Sequence, residues 1–96
     1  MRRVKTNYPR LLVKKTARHI YAELIDSTGK VLATANDRKI KEKIRPLEKA
    51  KLVGELLAKR AKAAKVERCV FDRRQYRFHG RVAALVNAAR KGGLKI

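Results

Sequence analysis

In segment 71–82, FDRRQYRFHGRV, the guanidinium groups of Arg73, Arg74, Arg77 and Arg81 stand among Tyr76, Phe78 and His79, and no acid follows Asp72. Such groups grip phosphate through a planar fork of donors, and aromatic rings stack on unpaired bases. A helix starting at Gly80 would add N–H donors and a dipole that favours an anion. This is chemistry for holding RNA. A solvated basic loop whose aromatics close the core over a strand end is the bland alternative. It suits Phe78, which can pack beneath the next helix, and His79 can as well cap that helix as touch RNA. Solvation alone does not require four arginines so close together.

A second cluster, RLLVKKTARHIY over 10–21, sets Arg10, Lys14 and Lys15 before a short connection containing Thr16 and Arg18, with His19 and Tyr21 after it. Tyrosine in a strand is ordinarily a packing residue. Here its neighbours by alternation are His19 and Glu23, poor company for a core, so Tyr21 is read as a contact residue. Lys59, Lys62 and Lys65 do no more than solvate a helix.

Bond-making chemistry finds little to work with. A ribonuclease H-like nuclease would bind metal through clustered carboxylates. Only Asp26 and Asp72 end expected strands, while Glu42, Glu48, Glu55 and Glu67 are scattered over helix and basic surface. Cys69, His19 and His79 lack the spacing of a zinc site, and neither a Gly-rich phosphate loop nor a nucleophile elbow is present. No catalytic residue, metal, cofactor or small-molecule substrate is expected. A basic RNA-binding adaptor outside any larger particle is the other alternative.

The whole chain points the same way as the clusters. It carries 27 Lys and Arg against 8 Asp and Glu, a net charge of +19 over 96 residues. Self-repulsion on that scale opposes compaction unless a polyanion neutralises it, and nucleic acid is the commonest such partner. No apolar run reaches the roughly 20 residues of a spanning helix, and MRRVKTNYPR lacks the apolar stretch of a signal peptide. The expectation is a protein without membrane contact that stays in the cytoplasm. The single cysteine, Cys69, fits a reducing compartment and reads as a buried core thiol. Apolar residues make up 45% of the chain and fall into periodic segments, which argues for a folded domain rather than disorder.

The elements that must position these groups follow from the periodicity. A flexible basic arm over 1–9, with Arg2, Arg3 and Lys5, precedes one α/β domain over 10–96. Strands are predicted over 10–15, 19–26 and 31–36, with Ser27–Lys30 as a turn whose Gly29 supplies positive φ. Pro46 opens a helix reaching about Ala64, with Ala50, Val53, Leu57, Ala61 and Ala64 inward. A fourth strand over 68–72 and a second helix over 80–91, with Val82, Leu85, Val86 and Ala89 inward, complete the order βββαβα. Residues 94–96 can add a short terminal strand. A right-handed crossover gives the mixed sheet the order 3-2-1-4 with both helices on one face. The uncovered face then carries Arg10, Leu12, Lys14, His19, Tyr21, Glu23, Thr34 and Arg68.

With those residues in view, the chain resembles the large-subunit ribosomal protein eighteen family of bacteria. The likeness rests on R-L-x-V-x-K-T-x-x-H-I-Y-A over 10–22, K-L-V-G-E-L-L-A-K-R-A over 51–61 and F-D-R-x-x-Y-x-F-H-G-R-V-x-A-L-x-x-A-A-R-x-G-G-L over 71–94. The resemblance implies a structural constituent of the large ribosomal subunit with no catalytic activity. It implies binding to 5S rRNA, attachment of that RNA to the large-subunit rRNA in the central protuberance, and neighbouring ribosomal proteins that include other 5S rRNA binders. The contact set it implies is Arg2, Arg3, Lys5, Arg10, Lys14, Lys15, Thr16, Arg18, His19 and Tyr21, with Arg73, Arg77, His79 and Arg81; Arg74 and Tyr76 join it from the reading of the loop. Two departures stand out: an arm of nine residues before Arg10, shorter than is usual in the family, and Arg74-Gln75 where relatives have small residues and glycine.

Overall fold

Alternation of apolar side chains builds the first half of the domain. The computed structural model describes residues 8–38, 40, 44–72 and 78–96. Within it β1 (Arg10–Lys15), β2 (Ile20–Ile25) and β3 (Val31–Asn36) bury alternate residues: Leu11 and Val13, then Ile20, Ala22 and Leu24, then Ala33 and Ala35. The strands pair antiparallel in chain order, with Val13 opposite Ala22 and Ala22 opposite Ala35, so the inward side chains form rows across the sheet. The second strand is shorter at both ends than the pattern predicted, because turn chemistry claims its terminal residues. Asp26 accepts hydrogen bonds from the Thr28 hydroxyl at 2.6 Å and from the amides of Thr28 and Lys30 at 2.9 Å, while Gly29 takes φ +93°. At the other end the Thr16 amide donates to the His19 carbonyl at 2.8 Å, and the His19 amide donates to the Thr16 hydroxyl at 3.1 Å.

The first helix, α1 (Pro46–Ala63), starts where proline's missing N–H costs nothing, after an extended Arg45. It ends in a Schellman arrangement: the Val66 amide reaches the Ala61 carbonyl at 2.8 Å and the Lys65 amide reaches that of Lys62 at 3.0 Å, with Lys65 at φ +62°. Ala64, expected inward, is exposed because it is the C-cap and the helical face has already ended. The buried stripe instead includes Gly54 and Ala58 beside Ala50, Val53, Leu57 and Ala61. These small residues let α2 (Gly80–Lys91) approach closely: a Cβ on Gly54 would overlap the Leu85 carbonyl oxygen and stand 2.9 Å from the Ala88 Cβ. The predicted inward set of α2, Val82, Leu85, Val86 and Ala89, is fully buried.

The last strand, β4 (Val70–Asp72), lies parallel to β1 with Arg10 opposite Val70 and Leu12 opposite Asp72, giving the sheet order β3-β2-β1-β4. It begins two residues later than predicted. Arg68 forms an isolated parallel bridge with Lys95, the Cys69 amide donates to the Lys95 carbonyl at 2.8 Å, and the Lys95 amide donates to Glu67. The terminal strand anticipated over 94–96 is therefore reduced to one bridge, beside which Leu94 and Cys69 close the core.

The topology sorts the two ends of the sheet. β3 and β4 both run toward the end where β1 finishes, so the helix after each must start there. The β1–β2 turn, Asp37 and both helix N-termini consequently share one end. Both helices pack on the face of Leu11, Ala22 and Ala35, and the opposite face, with Leu12, Lys14, Tyr21 and Thr34, stays uncovered as predicted. Among the described residues no helix is long and apolar enough to cross a membrane.

Candidate nucleic-acid interface

The β1–β2 turn, 16–19, is where the two basic clusters of the sequence meet. Its backbone is closed by the two Thr16–His19 bonds, so the Thr16 hydroxyl works inside the turn. From the first turn of α2, Arg81 donates through its Nη2 to the Thr16 carbonyl at 2.9 Å. That contact joins positions 65 residues apart and fixes the α2 N-terminus beside the turn. Arg81 thus spends one of its donors on scaffolding and keeps the rest of its fork. The helix start it occupies has no acid in its first turn and no side-chain cap; His79 is the exposed N-cap residue, and Gly80 sits at φ +57°. Uncapped N–H groups and a positive dipole end face the same side as the turn.

Around this corner lie the described members of the predicted contact set. Arg18 and Lys14 are exposed, while Lys15, His19 and Tyr21 are half-buried. Tyr21 lies opposite Lys14 on one flank and Asn36 on the other, on the uncovered face. Its ring stands 6.4 Å from that of His19 at a 53° tilt, leaving an aromatic surface flanked by cations. Arg10 does not join them. It lies at the far end of β1, roughly 17 Å away at strand rise, and pairs with Asp72 at 3.5 Å. Arg2, Arg3 and Lys5 of the arm and Arg73, Arg74, Tyr76 and Arg77 of the loop lie outside the described residues. Of the described residues that flank that loop, Phe78 stands just before the start of α2, whereas Asp72 lies opposite Leu12, partway along β1.

Phe78 reaches the strand end as foreseen but stays exposed rather than packed beneath the helix. It meets Phe71 edge to face at 6.1 Å, and the Arg90 guanidinium lies 5.6 Å from its ring centre. Cys69 is buried, and that burial pushes its thiol up to about 12 despite the opposing pull of Arg90. The thiol is accordingly an inert core group. The carboxylates that a nuclease would need are occupied singly: Asp26 in its turn, Asp72 with Arg10, Asp37 with His19. Among the described residues no three His, Cys, Asp or Glu come close enough to hold a metal ion.

Two features escaped the reading of the sequence. Asp37, just after the third strand, is almost fully buried with its Oδ1 at 3.0 Å from His19 Nδ1. At the opposite end Arg68 donates to the Tyr8 hydroxyl at 3.1 Å and lies 5.2 Å from the centre of its ring. The lone acid after a strand was a signal for the first; nothing in the spacing of Tyr8 and Arg68 announced the second.

Residues 2–96 match the model of the family described as ribosomal L18 of archaea, bacteria, mitochondria and chloroplast. The chain is 45% identical over 101 residues to large ribosomal subunit protein uL18 of Chelativorans sp. (strain BNC1), covering 99% of this chain and 85% of the relative. It is 49% identical over 90 residues to that protein of Marinobacter nauticus, covering 90% and 78% of the two chains. The uL18 of Myxococcus xanthus is 47% identical over 95 residues, covering 94% and 80%. With a family model matching nearly the whole chain and relatives at 45–49% identity, the chain belongs to the ribosomal L18 family.

Proposed function

We propose that the corner formed by the β1–β2 turn, the uncovered sheet face beside it and the start of α2 is the surface through which this large-subunit ribosomal protein holds 5S rRNA. Lys14, Lys15, Arg18, Tyr21, His79 and the remaining donors of Arg81 make up its described part. The observation that carries the proposal is the Arg81–Thr16 bond, which makes one preorganised surface of two basic clusters far apart in sequence. Clustered cations, an aromatic face and an acid-free helix N-terminus together suit phosphate and an unpaired base. Family membership sets aside the nuclease and the free-standing adaptor: the chain is a ribosomal protein, not an enzyme.

Single substitutions test the surface. Arg18→Ala and Lys14→Ala should each weaken 5S rRNA affinity by about 5- to 30-fold, the range of one or two charge-assisted hydrogen bonds. Their melting temperatures should be unchanged. Lys59→Ala, on the solvated side of α1, is the control. Equal losses from Lys59→Ala and Arg18→Ala would mean that overall charge, not this corner, binds the RNA.

A further inference from the structure

Among the described residues Asp37 is the one charged side chain in the core, 4% exposed in a protein whose surface is overwhelmingly cationic. Among the described residues its side chain meets His19 Nδ1, 3.0 Å from its Oδ1. An ionised carboxylate can only accept, so this contact puts a proton on Nδ1 and orients the ring. The His19 side chain remains 39% exposed while that of Asp37 is 3% exposed, and Nε2 makes no hydrogen bond among the described residues. The backbone beneath the ring is fixed as well, by both Thr16–His19 bonds and by Arg81 on the Thr16 carbonyl. The partly exposed ring is therefore held in a defined orientation, its centre 6.4 Å from that of the Tyr21 ring.

We propose that Asp37 is a positioning residue for RNA binding: it fixes the tautomer and ring orientation of His19 so that Nε2 meets the sugar–phosphate backbone beside Tyr21. This rests on the reading of the corner as the 5S rRNA surface. Burial is what makes an acid tolerable there. An exposed carboxylate among phosphates would repel them, whereas Asp37 is shielded by the ring it orients and exerts its effect through that ring. His19 thereby contributes one directed hydrogen-bonding atom where the neighbouring lysines contribute charge without direction.

A double-mutant cycle with 5S rRNA tests the proposal. Asp37→Ala should weaken affinity roughly 3- to 10-fold in the wild-type background and less than about 2-fold in the His19→Ala background, a coupling in the range seen for residues in contact. Asp37→Asn, nearly isosteric, repeats the measurement should Asp37→Ala not fold. Nitrogen-15 shifts of the His19 ring should show Nδ1 protonated in the wild type and mixed tautomers in either variant. His19→Gln, which can set a polar atom near the Nε2 position, should retain more affinity than His19→Asn, which can replace only Nδ1. Equal losses from Asp37→Ala in both backgrounds, or a neutral wild-type ring protonated on Nε2, would overturn the proposal. If His19→Ala leaves affinity intact while Arg18→Ala weakens it, the positioning role alone falls; if neither variant weakens binding, the reading of the corner falls with it.

Discussion

At the scale of single residues, the carboxylate of Asp26 shows how a side chain can set the end of a strand. The Thr28 hydroxyl, followed by the Lys30 amide, holds Asp26 below the ordinary Asp range. Because the folded state favours the ionised form, the stabilisation is complete above that range and is lost as pH falls through the lowered value. Acidification through and below the ordinary titration range of Asp should strip hydrogen-exchange protection from the Thr28 and Lys30 amides before the core opens. Asp26→Asn should show weakened protection already at neutral pH and little further change with acid. Wild-type protection at these amides that is lost at or above the ordinary Asp range, or that in Asp26→Asn matches the wild type at neutral pH, would contradict this account. A Ser-Thr-Gly-Lys turn was legible from sequence because Gly29 needs a positive φ. The left-handed Lys65 was not, since lysine gives no hint of φ +62° and only the helix-ending bonds to Ala61 and Lys62 reveal it. His19 and Asp37 were hidden for a related reason: their pairing is made by the register of β2 and β3, which brings Tyr21 opposite Asn36.

At the scale of elements, the contact between α1 and α2 fixes where the functional corner sits, because α2 carries Arg81 to the turn. Gly54 is the point of closest approach, and Ala58 against Gly92 continues the seam. In an isolated helix Gly54→Ala would be favourable by about 1 kcal/mol from propensity. Here the new methyl meets the Leu85 backbone, which cannot move aside as a flexible side chain would, so overpacking of roughly 1–3 kcal/mol should outweigh that gain. The expected result is a melting temperature lower by several degrees, about 4–8 °C for each net kcal/mol in a domain of this size. Weaker 5S rRNA binding should accompany it as Arg81 shifts from Thr16. A rise in melting temperature would show that the helices have room to spare. The element order and the 3-2-1-4 sheet could be read from sequence because strand alternation and crossover handedness leave few alternatives. The seam could not, because apolar periodicity gives no weight to a glycine such as Gly54 and does not single out Ala58, the residues that bring the two helices together, while Leu47 and Leu52 stand exposed on α1.

The whole molecule carries a net charge of +19 on 96 residues, and that one property pushes two measurable quantities in opposite directions. Without RNA, like charges on α1, the sheet face and the turn repel one another, and the described residues hold few Lys or Arg ion pairs to offset this, such as Arg10–Asp72 and Lys51–Glu48. Raising salt shortens the Debye length from about 30 Å at 0.01 M to about 8 Å at 0.15 M, so repulsion fades and the free domain should melt at a higher temperature. With RNA, the same salt competes with counterion release. If about six phosphates are neutralised, log affinity should fall against log salt with a slope of roughly −4 by the single-strand coefficient and −5 by the duplex one. Arg18→Ala should make that slope shallower by close to one, as expected for a cation that meets a phosphate. Asp37→Ala should lower affinity without flattening it, because it removes orientation rather than a phosphate-bound cation. Melting curves and binding isotherms over one salt series supply both numbers. A melting temperature that falls with salt would mean that ion pairs, not repulsion, dominate the free fold; an affinity flat in salt would mean that binding rests on something other than the cations of this corner.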